Sequence, residues 1–193
     1  MFPSAFRKSN TYGLGLMDTG IGLFAVSMAI VSKPKNDIFK LLKQSSALIV
    51  LGVIRTISIN VIDYHQDERE YGRDLNAFIT LGLTKLFGGI LTRFLSNENY
   101  ILISGIAFGI IHEIALQSGL GEYCISEKVP RHSFVEANRE GLISVTGFVS
   151  LYLISVYIGS IISRRLSNIG YISWIVSLAS STLAISSIKI RIC

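Results

Sequence analysis

Gly141 to Ile162 read GLISVTGFVSLYLISVYIGSII, 22 residues without a charged side chain or a proline. At about 1.5 Å of rise per residue, a helix of that length reaches across the roughly 30 Å hydrocarbon core of a bilayer. Read as buried strands, the run would need turn signals every eight to twelve residues, roughly, and it has none. Working outward, five more runs share this character: Tyr12 to Ser32, Ser45 to Ile62, Leu75 to Leu95, Tyr100 to Gln117 and Asn168 to Ile188. Each has about the 17 to 25 residues a spanning helix needs. Pro3, Pro34 and Pro130 all fall outside the runs, as unbroken helices require. The sequence predicts an all-α fold, a polytopic transmembrane bundle of about six helices forming a single membrane domain over residues 1–193.

Composition agrees. Of the 193 residues half are hydrophobic and 16% are charged, against roughly 25% charged in an ordinary soluble domain. A water-soluble fold built from these residues would expose much of its apolar surface. The formal charge of +5 suggests nucleic acid, but the Lys and Arg residues sit in short links and form no aromatic-interleaved stripe, so no nucleic-acid partner is expected. Cys124 and Cys193 make no disulfide framework, no Cys/His spacing suits zinc, and neither a metal nor a cofactor is expected. The start, MFPSAFRKSNTYG, lacks the apolar core and cleavage site of a signal peptide, which leaves targeting to the first span.

Threading the runs sorts the links onto two sides. One side takes the N-terminus, the Asp63 to Asp74 and Gly121 to Glu140 links and the C-terminus, with nine Lys/Arg against nine acids. The other takes Lys33, Lys35, Lys40, Lys43, Arg93, Arg164 and Arg165 against Asp37 and Glu98. A count of Lys and Arg alone does not decide orientation; the unopposed positive charge favours the second side as cytosolic.

Asp18, Arg55, Lys85 and Glu113 lie inside apolar runs, with His112 beside the last. Such groups are costly in a membrane and face a bundle interior or a wet cavity. Either Asp18 pairs with Arg55 or Lys85, or the two long cations snorkel to an interface. HEIAL at His112 lacks the second His of a zinc-protease helix; a hydrogen bond between helices or a general-base role remains. Gly105 and Gly109 form a small-xxx-small pair suited to close helix approach. Intramembrane charges and Gly-rich helices also suit a transporter, though no internal repeat supports one.

Two links place charged, amide and tyrosine groups at the membrane entrance: DYHQDEREYGRDLNAF from Asp63 to Phe78, and VEANREGLIS from Val135 to Ser144. With Lys8 on the same side, they suit a polyhydroxyl or phosphate head group whose acyl parts stay in lipid. The plainer alternative is a pair of solvated links with helix caps, Asn138 capping the run that starts at Gly141.

At these residues the chain resembles the inositol acyltransferases of glycosylphosphatidylinositol (GPI) anchor synthesis, the family of the fungal GPI-anchored wall transfer protein and its animal counterpart. FPSAFRK, TYG and LMDTGIG, between Phe2 and Ser32, are similar to that family's FPRRFAK, TYG and LMDxGVGSF. Tyr64, Glu70, Tyr71, Gly72 and Asn76 match YQEHVxEYGVHWNFF in register. ANREGLIS from Ala137 to Ser144, with Gly147 and Tyr152 beyond, resembles ANKEGIxSLPGYLxIY. RRLSNIGYISW, from Arg164 to Trp174, resembles RKLxNLPYVLW.

The resemblance implies an endoplasmic-reticulum, multi-pass enzyme that moves a fatty acyl chain from acyl-CoA, its co-substrate, to the inositol of glucosaminyl-phosphatidylinositol. It makes Lys8 the catalytic residue, paired in the family with an upstream aspartate whose position precedes Met1. It assigns Asp18, Tyr64, Glu70, Tyr71, Asn76, Asn138, Arg139 and Glu140 to shaping the site and holding the head group. Departures are the arginines of FPRRF, here Ser4 and Ala5, the histidines of the second block, here Asp67 and Asp74, and its tryptophan, here Leu75. The family fold is longer, so the chain is expected to correspond to its C-terminal portion. The alternative is a non-catalytic membrane portion that binds lipid or a partner.

Overall fold

A computed structural model describes residues 19–33, 37–62, 70–95, 97–126 and 129–162, with Ile172 and Val176. Lys8, Asp18, Tyr64 and nearly all of the run from Asn168 to Ile188 lie outside the described residues. Among the described residues seven α-helices follow one another: α1 (Thr19–Ile30), α2 (Ile38–Ile62), α3 (Ala77–Phe94), α4 (Glu98–Ala115), α5 (Gly121–Ile125), α6 (Phe134–Ala137) and α7 (Arg139–Ile161). No strand occurs among the described residues. α2, α3, α4 with its continuation to Ile125, and α7 are long and apolar enough to cross a membrane.

Helix starts are set by capping side chains rather than by the first apolar residue. α2 begins at Ile38, well ahead of Ser45, because the Asp37 carboxylate accepts the Phe39 amide at 3.3 Å and the exposed Lys40 and Lys43 occupy the first turns. Asn97 opens α4 by accepting the Asn99 amide at 3.0 Å, which brings Glu98 and Asn99 into the helix ahead of Tyr100. After Ala115 the backbone widens into a π turn over Leu116–Leu120, with Gly119 at φ 112° before α5 resumes.

α7 is the central helix. Val145, Val149, Tyr152, Leu153 and Val156 on it join Ala29 of α1 and Ile101 of α4 in one buried cluster. α4 runs against it in the opposite direction, Gly105 facing Leu153 and Ile154 and Gly109 facing Ser150. The Ser150 hydroxyl donates to the Gly105 carbonyl at 2.7 Å, so the small-residue pair does bring these two backbones together. α2 likewise runs against α3, Leu41 meeting Gly89 and Gly52 lying beside Asn76 and Ile79. α3 and α7 therefore start at the same end, where α2 and α4 finish. The links before α3 and before α7 share that end, as the threading of the sequence predicts.

Outward faces are apolar: Val50, Leu51, Ile54 and Ile57 of α2 and Ile103, Ile106, Ile110 and Ile114 of α4 are all exposed. Such faces suit lipid and not water, because in hydrocarbon only the backbone needs internal hydrogen bonds and the helices supply them. Arg55 and Glu113 lie on exposed positions and Lys85 is half-buried. Glu113 accepts from the Gln117 amide at 2.8 Å. His112 bonds between helices, Nδ1 lying 2.6 Å from Thr146 Oγ1 of α7.

Candidate functional site

The end of the bundle where α3 and α7 begin is closed by a junction of two sequence-distant segments. Chain direction reverses at Gly72, whose φ of 94° places it in the left-handed region. A Cβ there would stand 2.5 Å from the Asn138 Cα and 2.7 Å from the Ala137 carbonyl oxygen, so only glycine lets the two segments touch. Gly141 makes the reciprocal approach in the first turn of α7, where a side chain would strike the Tyr71 carbonyl and the buried Leu75. The Arg73 amide then donates to the Ala137 carbonyl at 3.0 Å.

Asn138 holds the junction. Completely buried, it accepts the amides of Asp74 at 2.7 Å and Leu75 at 3.0 Å through Oδ1. Its Nδ2 donates to the Asp74 carboxylate at 2.9 Å and to the Phe134 carbonyl at 3.0 Å. The alternative in which Asn138 merely caps α7 does not hold: no side-chain cap bond is made there. Its acceptor is taken by backbone amides 63 and 64 residues away, whose burial makes a fixed partner more valuable than a local cap.

Asn76 does cap, and does more. Its Oδ1 accepts the amides of Phe78 at 3.0 Å and Ile79 at 3.2 Å, starting α3. Its Nδ2 crosses to α2, donating to the Gly52 carbonyl at 2.8 Å and to the Thr56 hydroxyl at 3.0 Å. Thr56 in turn donates to the Asp74 carbonyl at 3.1 Å. One buried amide thus ties the ends of α2 and α3 to the junction.

Arg139 is also buried, at 1% exposure, against the expectation of a solvated link. Its guanidinium donates to three backbone carbonyls of the preceding segment: Ser126 at 2.6 Å, Cys124 at 3.3 Å and Val129 at 3.4 Å. Its charge is met by Glu140, 3.5 Å away, and by the Tyr123 ring, whose centroid is 5.2 Å from Cζ. Glu140 also pairs with Arg131 at 2.5 Å and 3.2 Å, a two-pronged bond that fixes the carboxylate plane. Arg131 reaches the Ala137 carbonyl as well, at 3.2 Å.

The structure therefore brings Asn76, Asn138, Arg139 and Glu140 to one end of the bundle. It places Glu70 and Tyr71, both half-buried, in the turn leading to Gly72. Sequence reasoning missed Arg131 as the partner of Glu140, and Thr56, a hydroxyl inside an apolar run. It noted Asp74 only as a departure from a histidine pattern, whereas Asp74 contributes three groups to the junction: amide, carbonyl and carboxylate. Only long-range pairing shows these roles. No group of three or more His, Cys, Asp or Glu residues suited to a metal occurs among the described residues.

Comparison with known proteins fits this geometry. The GWT1 family model matches residues 1–162. The chain is 33% identical over 175 residues to GPI-anchored wall transfer protein 1 of Yarrowia lipolytica, covering 85% of this chain and 36% of that protein. It is 33% identical over 180 residues to the protein of that name from Candida albicans, covering 84% and 37%. To the glucosaminyl-phosphatidylinositol-acyltransferase PIGW of Bos taurus it is 31% identical over 183 residues, covering 88% and 36%. The chain spans little more than a third of the length of these relatives. With a family match running through both junction segments and the helices that carry them, this chain belongs to the GWT1 family.

Proposed function

We propose that the chain forms part of a membrane-bound O-acyltransferase of the endoplasmic reticulum, one that moves a fatty acyl chain from acyl-CoA to an inositol hydroxyl of glucosaminyl-phosphatidylinositol in GPI-anchor biosynthesis. The observation that carries this reading is the junction. Segments 71–76 and 137–141, which the family resemblance singles out separately, form one buried structure at the end of an apolar bundle. That arrangement suits a reaction whose acceptor has a polar ring at the membrane surface and acyl chains in the lipid.

In the proposed transfer the inositol oxygen attacks the thioester carbonyl. The new C–O bond forms, the C–S bond breaks, and the hydroxyl proton passes through a base to the coenzyme A thiolate. Lys8 supplies the amine near the reacting atoms, as base or as the cation facing the developing oxyanion. Asp18, Tyr64, Glu70 and Tyr71 are assigned to the head group. Asn76, Asn138, Arg139 and Glu140, whose polar groups are engaged within the protein, shape the site. Transfer is direct, with no acyl-enzyme.

A non-catalytic portion that binds lipid or a partner is the rival, favoured by that same internal engagement of Asn138 and Arg139. Microsomes from cells lacking their own enzyme and expressing this chain separate the two. Labelled palmitoyl-CoA should acylate glucosaminyl-phosphatidylinositol, and Lys8→Ala should abolish the transfer. A stable, inserted chain that transfers nothing sinks the enzyme reading, and a labelled acyl-protein sinks direct transfer.

A further inference from the structure

Away from the junction, the contact between α2 and α3 holds a cation with no counter-ion. Lys85 lies midway along α3, about 13 Å from either end at about 1.5 Å per residue. Gly82 and Gly89, a turn before it and a turn after it, both touch α2: a Cβ on Gly82 would stand 3.2 Å from the Ser45 carbonyl oxygen, and one on Gly89 would strike the Leu41 side chain. Lys85 therefore lies on that side of α3 and level with Ser45 of α2. It makes no hydrogen bond or ion pair among the described residues. The charged side chain whose field reaches it is Lys40 of α2, a second cation, and no acid among the described residues does so.

Ser45 adds to the imbalance. It is 1% exposed, and its hydroxyl has no hydrogen-bond partner among the described residues. Buried polar groups nearly always find a partner, so one left over marks an incomplete arrangement. An unpaired ammonium at this depth is costlier still. Lys40 stands five residues, about 7.5 Å, nearer the start of α2 than Ser45, and the flexible four-carbon stem of the half-buried Lys85 lets its ammonium rise toward that level. The contact thus gathers two ammonium groups and a hydroxyl, and what it lacks is a negatively charged acceptor.

A phospholipid supplies one: a phosphate near the membrane boundary with alkyl chains beneath it. Leu51, eleven residues or about three turns beyond Lys40, lies on the same side of α2 and is exposed, as are Val50 and Ile54 beside it, which gives those chains an apolar surface. Basic pockets between membrane helices suit anionic head groups for this reason. We propose that the cleft between α2 and α3 holds the phosphate of an anionic glycerophospholipid between Lys40 and Lys85, the Ser45 hydroxyl accepting one Lys85 proton and so fixing the ammonium while its other protons face the phosphate. The site lies apart from the junction, and neither it nor its test depends on the acyltransferase reading.

The full chain carrying Trp174→Phe and Leu51→Trp, so that one tryptophan reports from beside the cleft, is reconstituted in phosphatidylcholine with either brominated phosphatidylglycerol or brominated phosphatidylcholine as quencher. The ratio of the two quenching constants should favour phosphatidylglycerol. Lys85→Met, which keeps the stem and drops the charge, should lower that ratio about fivefold, and Ser45→Ala about twofold. Lys85→Arg should keep the preference. Lys43 lies two residues from both Leu41 and Ser45, hence on the side of α2 turned away from α3, and Lys43→Ala should leave the ratio in place. Equal quenching by the two lipids, or a preference that Lys43→Ala removes and Lys85→Met spares, would overturn the proposal. Glycerol phosphate in the buffer should not compete; competition would make the occupant a soluble phosphate and overturn the lipid.

A second measurement guards against a variant that is merely misfolded. In detergent without lipid, Lys85→Met should unfold at or above the temperature of the parent, since it places no unpaired ammonium within the bundle. Added phosphatidylglycerol should then raise the midpoint of the parent and leave that of Lys85→Met where it was, because a ligand stabilises only the chain that binds it. Equal stabilisation of both chains would show attraction to the surface at large and sink the site.

Discussion

Asn138 and Gly72 are the residues on which the junction depends most directly, and they fail in different ways. Asn138→Ala leaves the buried amide of Leu75 and the half-buried amide of Asp74 without their acceptor, at about 1 to 3 kcal/mol for the buried group. Thermal unfolding in detergent should show a large loss, and an unchanged midpoint would mean that water or backbone takes over. Gly72→Ala adds a Cβ 2.5 Å from the Asn138 Cα at a φ of 94°, where the left-handed backbone alone costs about 1 to 2 kcal/mol. It should destabilise without removing any hydrogen bond, and the double variant should then lose less than the sum of the two single losses, because both act on one contact. Arg139→Lys keeps the charge but not the planar fork that spans three carbonyls. Protease cleavage between residues 121 and 131 should rise in that variant, and parent-like resistance would show that charge alone suffices.

Among the elements, α6 is the shortest, and a capping box holds it. The Ser133 hydroxyl accepts the Glu136 amide at 3.2 Å, while the Glu136 carboxylate accepts the amides of Ser133 at 3.0 Å and His132 at 3.1 Å. The Ser133 amide, foremost among these contacts, holds the Glu136 carboxyl below its ordinary range. A pKa lowered on folding means that the contribution is present above the unfolded value and is lost as pH falls through the folded one. Hydrogen exchange at the Ser133 and Glu136 amides should accelerate below the ordinary glutamate range, and Glu136→Gln should remove that acceleration. The spans themselves were legible in the sequence because an uninterrupted apolar run has few other solutions. The helix starts were less so, since Asp37 and Asn97 shift them by a single carbonyl-type bond. A cap was the plainer alternative for Asn138, because its position before α7 is a capping position. Its actual partners depend on how two helices lie side by side, which no local pattern encodes.

For the whole molecule, the threading of the links onto two ends holds among the described residues. In a chain cleared of its own cysteines, Lys43→Cys and Val135→Cys, both at exposed positions, should react with a membrane-impermeant maleimide from opposite faces of sealed vesicles. Labelling of both from one face would dismantle the arrangement. The two family segments were legible as important, but their union was not, because it is made by the parallel course of α3 and α7 with α4 between them in sequence.

That union has a consequence for how the protein is made. Helices enter the membrane in order of synthesis, so α3 arrives with the Asp74 and Leu75 amides still unmet, and their acceptor is synthesised more than sixty residues later. Until α7 is in place, the growing chain carries an exposed polar gap at the membrane surface. A newborn chain halted or truncated before Asn138 therefore lacks the acceptor for both amides.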